Sequence, residues 1–82
     1  MVLRFSDQAA EVFRRIPLFE RLALVDLFDD LRIGKIPIED YGDITEEGLP
    51  VSVLIIGRFS ISFAVHEASE SILVAEISSA DE

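Results

Sequence analysis

The run from Phe59 to Val65 constrains this chain more than any other stretch. Phe59, Ile61, Phe63 and Val65 alternate with Ser60, Ser62 and Ala64, and His66 continues the second set. A repeat of two places alternate side chains on opposite faces of a strand, and it does not fit a helix. The aromatic and aliphatic set reads as core. The other set is small and uncharged, which is unusual for a sheet face in water. The flanking segments extend the pattern into a meander. Val51 to Ile56 is nearly all apolar, Gly57 and Arg58 make a compact turn, His66 to Ser71 is polar, and Ile72 to Ile77 is again apolar.

Upstream the period changes. Val2 to Phe5 reads as a short strand. Ser6 is a suitable helix cap and Asp7 complements the dipole of the first turn. Ala9, Val12, Phe13 and Ile16 fall at helical spacing over Asp7 to Arg15. Pro17 ends that helix or opens the next, because it lacks a backbone donor. Leu18 to Leu31 reads as a second helix, closed near Gly34. Leu18, Leu22 and Val25 share one side of it, and Leu24, Leu27, Phe28 and Leu31 widen the apolar stripe. Stripes that wide contact more than one neighbour. Residues 35–50 carry Glu39, Asp40, Asp43, Glu46 and Glu47 among prolines and glycines. They read as a solvated connection with a short extended piece near Ile36 to Ile38. The expected order is β-α-α-β-β-β. It describes an α+β fold, a helical hairpin packed on a small antiparallel sheet, in one domain over residues 1–82.

Charge and residue types narrow the function. Residues 1–49 hold six basic against eleven acidic residues (−5), and residues 50–82 one against five (−4). The net charge of −9 opposes phosphate binding, so no nucleic-acid partner is expected. The chain has no cysteine, which excludes disulfides and thiolate metal sites. No basic, apolar leader opens it, and no apolar run approaches the roughly 20 residues of a membrane span. A cytoplasmic protein with no membrane contact, cofactor or metal is expected.

The element order resembles the RelE/ParE superfamily of small bacterial toxins. LRFSDQAAEVFRRIP is similar to that family's opening strand and helix, and GRFSISFAVHEASESILVAEI to its hairpin, turn and last strand. The resemblance implies a toxin–antitoxin protein whose partner is an antitoxin or a second copy. RelE-type members cleave messenger RNA on the ribosome without a metal, using clustered lysines and arginines to offset phosphate charge. Those residues are missing at the matching positions. Ser60 stands where the hairpin has arginine, the preceding strand is VSVLII, and the chain closes on SSADE. Arg58, His66 and Arg4 remain as the set from which a rearranged ribonuclease site could be built. ParE-type members act on DNA gyrase and also tend to be basic.

Read residue by residue, no catalytic group is expected. His66 has no nucleophile or second histidine at recognisable spacing, and Ser60 and Ser62 lack a nucleophile-elbow turn. The acidic loop does not match a calcium-binding loop. Arg14, Arg15 and Arg21 sit beside acids and read as surface ion pairs. The strands flanking Phe59 to Val65 are apolar on both faces, so the serine face gains greasy neighbours. Ser60, Ser62 and Ala64 with Leu54, Ile56, Ile72 and Val74 are therefore expected to form a protein interface, in a homo-oligomer or with another protein. The alternative is that the N-terminal strand and the acidic loop fold over this face. A small structural or regulatory dimer without toxicity is a further reading.

Overall fold

The computed structural model describes residues 1–79; Ala80, Asp81 and Glu82, the end of the SSADE segment, lie outside the described residues. Ser6 starts the helical layer as its composition implies. Its Oγ accepts from the Ala9 N–H at 3.0 Å and donates to the Ala75 carbonyl at 2.6 Å. One side chain thus caps α1 (Asp7–Arg15) and ties it to the last strand. Ile16 is extended, as a residue before proline should be. α2 (Leu18–Arg32) then doubles back. Arg21 holds the elbow, donating to the carbonyls of Ile16 and Arg14 at 2.7 Å each. These carbonyls at the end of α1 have no partner within the helix. Gly34 leaves α2 with φ +82°, a conformation that favours glycine.

Five strands follow the order β1-β5-β4-β3-β2. They are β1 (Val2–Phe5), β2 (Tyr41–Ile44), β3 (Pro50–Ile56), β4 (Phe59–His66) and β5 (Ser71–Ser79). The fold is α+β, with two departures from the expected arrangement. β2 arises within the acidic connection, beyond the Ile36 to Ile38 piece. All four of its residues are exposed, so it is held by backbone pairing to β3 and has no core periodicity to betray it. The sheet is mixed, because β1 runs parallel to β5 while the other pairs are antiparallel. The direction of β1 is set by how the helical hairpin returns the chain.

Paired residues share a face. Leu54 pairs with Ile61, Ile56 with Phe59, Phe63 with Val74 and Val65 with Ile72. All eight therefore face the helices. Between Ser62 and Phe63 the β4–β5 register shifts, leaving Ala75 unpaired as a bulge. The bulge lets Ile72, Val74 and Ile77 all reach the core despite their uneven spacing. Leu24 and Leu31 of α2 meet them, fully buried. Each such side chain contributes about 1.5–3 kcal/mol of burial. Phe5, Phe13 and Phe28 join strand to helices, with Phe5 edge-on to Phe28 at 4.9 Å. Where β1 ends, Gln8 continues its pairing. Its side-chain amide donates to the Ile77 carbonyl and accepts from the Ile77 N–H.

Candidate functional site

The helix-free face of the sheet carries Ser60, Ser62 and Ala64 as expected, each half-buried. Leu54, Ile56, Ile72 and Val74 are not there. Pairing turns them to the helices, and Leu54, Ile72 and Val74 are buried core residues. The apolar neighbours actually present are Val51, Val53, Ile55 and Leu73, of which Val51 and Val53 are buried. Opposite Ser60 lies Ser78, and opposite Ser62 lies Glu76. The sheet face is thus less greasy than both-sided apolar strands imply. Thr45, Glu46, Glu47 and Leu49 line a hollow with Leu73, Ala75 and Glu76, so the β2–β3 hairpin curls over part of this face. β1 extends the sheet edge and does not cover it.

A second hollow of about 610 Å³ opens on the same side, with Arg4, Leu49, Ala64, His66, Ser71 and Leu73 among its lining residues. It brings Arg4 and His66 to one place. Arg58 is elsewhere. It occupies the β3–β4 turn, eight positions from His66 along an extended strand, or about 26 Å at strand rise. The trio Arg58, His66 and Arg4 therefore does not form one site.

Arg58 is committed to the fold. Its Nε and Nη2 grip both carboxylate oxygens of Glu20 at 2.7 and 3.0 Å, Nη1 donates to Ser79 Oγ at 2.8 Å, and the guanidinium lies over the Phe59 ring. This two-pronged geometry is the strongest form of such a pair. Hydrogen bonding from Arg58, aided by its charge and opposed by partial burial, holds the Glu20 carboxyl below the usual glutamate range. His66 Nδ1 lies 2.6 Å from Ser69 Oγ, which lies 2.6 Å from Ser71 Oγ. This exposed chain spans the turn around Glu67–Ser69, where Glu70 adopts φ +50°. It closes a turn, and among the described residues no carboxylate bonds to the imidazole to orient it for base catalysis.

Arg14 and Arg15 follow the surface reading, and Arg21 does not, because its guanidinium is turned to the Ile16 and Arg14 carbonyls and lies over the Phe13 ring. Arg14 and Arg15 both pair with Glu11, and Arg32 with Asp29. Hydrogen bonding from Arg14 keeps the Glu11 carboxyl below its ordinary range. In the acidic loop, Asp40 accepts from the Ile55 N–H and Asp43 from the Ile44 N–H. These carboxylates cap strand backbone. Among the described residues no cluster of three or more potential metal ligands occurs, and no helix is long and apolar enough to cross a membrane.

Exposed apolar side chains occur along the 36–49 connection, with Ile38 and Ile44 the most open, and as a row on α2. Leu24, Leu27, Phe28 and Leu31 turn inward, while Leu18, Phe19, Leu22 and Val25 are 73, 85, 58 and 38 % exposed. Ile33, just past the helix, is 77 % exposed. Beside Val25 an apolar groove runs between the helices, floored by Phe5, Phe13 and Phe28 and rimmed by Arg14 and Arg32. The sequence placed Leu18, Leu22 and Val25 on one side of a stripe too broad for one neighbour. It did not say that this side would be the uncovered one. No family model, no curated protein and no solved structure matches the chain.

Proposed function

We propose that this protein acts by holding another polypeptide against the outer face of α2, as a RelE/ParE-like toxin–antitoxin-type protein without ribonuclease chemistry. The observation that carries this reading is the row Leu18, Phe19, Leu22 and Val25, exposed on a helix whose opposite side already completes the core. At roughly 60–120 Å² of apolar area per fully exposed side chain, these four and Ile33 amount to about 200–400 Å². Contiguous apolar patches of a few hundred Å² are often functional.

The electrostatics support binding without cleavage. Stabilising a phosphoryl transition state takes several convergent cations. Here Arg14, Arg15, Arg32 and Arg58 each pair with a carboxylate of the chain. Arg4 and His66 stand in a chain of net charge −9. The partner is an antitoxin-type polypeptide or a second copy.

Photo-crosslinking in cells tests this, with a photoreactive side chain placed at Leu22, at Ser62 or at Asp43. Covalent adducts to polypeptide from position 22, absent from 43, are expected. Adducts from position 62 alone would move the site to the sheet, and adducts to RNA would overturn the reading. Incubation with translating ribosomes should leave transcript ends unchanged. Cuts abolished by His66→Ala or Arg4→Ala would restore the ribonuclease alternative.

A further inference from the structure

Arg4 differs from every other arginine of the chain. Arg14, Arg15, Arg32 and Arg58 are held by carboxylates, and Arg21 by the carbonyls that close α1. Among the described residues the Arg4 guanidinium has no ion pair and no hydrogen bond. Strand pairing fixes where it stands. Arg4 lies opposite Leu73, and Leu73 opposite Ala64; Val2 lies opposite Ser71, and Ser71 opposite His66. Paired residues share a face, so two rows cross three strands on the helix-free side. With strands about 4.8 Å apart and same-face neighbours about 6.6 Å apart along a strand, the Arg4 and His66 backbones stand about 12 Å from each other. Leu73 and Ser71 lie between these two corners. Both corner side chains line the hollow of about 610 Å³ without bonding to each other.

The polar end of the hollow is suited to a carboxylate. His66 Nδ1 lies 2.6 Å from Ser69 Oγ, itself 2.6 Å from Ser71 Oγ. With Ser69 donating to Nδ1, the ring proton sits on Nε2, a donor with no partner among the described residues. Arg4 adds the planar fork that matches a carboxylate. The rest of the lining is apolar, from Leu49, Val51, Ala64 and Leu73. Ala64, the smallest of these, leaves the depth.

We propose that this hollow binds a free organic acid with one carboxylate and an apolar body. The carboxylate sits between Arg4 and His66 Nε2, and the body lies over Ala64 and Leu73. The site is independent of the α2 surface, since it lies on the opposite side of the sheet. Charge limits the ligand. Glu67 and Glu70 stand on the turn beside His66, and Glu46 and Glu47 line the neighbouring hollow, which shares Leu49 and Leu73. Among these acids one guanidinium offsets a single negative charge, not the two or more of a phosphate ester or nucleotide. An inorganic anion also gains nothing from the apolar lining. The size agrees, because small-molecule sites occupy roughly 300–1,000 Å³.

Titrations followed by the backbone amide NMR signals test the inference, with phenylacetate and octanoate as probes. Each should shift the amides of Arg4, Ala64, His66 and Leu73 saturably, at least one with a Kd of about 1 mM or tighter. Phenylacetamide, the neutral counterpart, should bind at least about tenfold more weakly than phenylacetate. Inorganic phosphate should leave these amides in place. Arg4→Gln, at an exposed position, should weaken both probes at least about tenfold, and Arg15→Gln should change neither. Should Arg4→Gln misfold, His66→Ala at the other exposed corner serves in its place and should weaken both probes about threefold or more. Shifts that do not saturate, or that are confined to α2, overturn the inference. So do equal binding of phenylacetamide, binding unchanged by Arg4→Gln, and a leucine-ended peptide that binds more tightly than both free acids.

Discussion

The inner and outer faces of α2 are made of nearly the same side chains and have opposite fates. Inside, Leu24, Leu27, Phe28 and Leu31 close the core against the sheet. Outside, Leu18, Phe19, Leu22 and Val25 meet water. An apolar side chain is worth what its neighbours remove from solvent, not what its own chemistry promises. The kinds of side chain that stabilise one side of the helix therefore leave an exposed apolar row on the other.

The widest gap between the two faces should appear on truncation. Leu24→Ala is expected to cost about 2–5 kcal/mol, read from urea unfolding, because it opens a cavity in a closed core. A cost below about 1 kcal/mol would mean the inner face is loosely packed and the contrast is illusory. Arg21→Ala comes next, at about 1 kcal/mol. It frees the Ile16 and Arg14 carbonyls and slackens the elbow that aims the inner face at the sheet. Faster amide exchange at the start of α2 should accompany the loss.

A smaller effect is confined to acid. Glu20 pins the first turn of α2 to Arg58, and its folded carboxyl sits below the ordinary glutamate range. A lowered folded value means the contribution is fully present above the unfolded range and disappears as pH falls through the folded value. The unfolding midpoint of the wild type should therefore fall more steeply than that of Glu20→Gln between about pH 5 and about pH 3. Parallel profiles would show that the pair adds nothing. The smallest change belongs to Leu22→Ala, under about 0.5 kcal/mol when measured in dilute solution where any dimer is dissociated. A large cost there would show that the outer face is buried within its own chain.

Much of the local structure was legible. Ser6, the helical spacing of Ala9, Val12 and Phe13, and Pro17 mark α1 at Asp7–Arg15. Gly57 and Arg58 make the β3–β4 turn, and α2 ends one residue beyond the expected Leu31. β2 was not legible, because Tyr41–Ile44 buries nothing and so shows no alternation. The candidate interface was half legible. The period of two in β4 separates Ser60 from Ile61 without reference to anything else. In β3, Val53 and Leu54 are equally apolar, so only pairing with Ser62 and Ile61 tells which one faces the helices. In β5 the bulge at Ala75 changes parity between Val74 and Ile77, and no local signal announces it.

Residue order alone therefore determined where the chain coils, extends and turns, since those choices depend on backbone preference and on neighbours a few positions away. Which apolar rows are covered, which arginine meets Glu20, and which side of α2 stays open were decided only when the helical hairpin docked. Burial and ion pairing are relations between distant segments, and a periodic pattern names a face without naming what will lie against it.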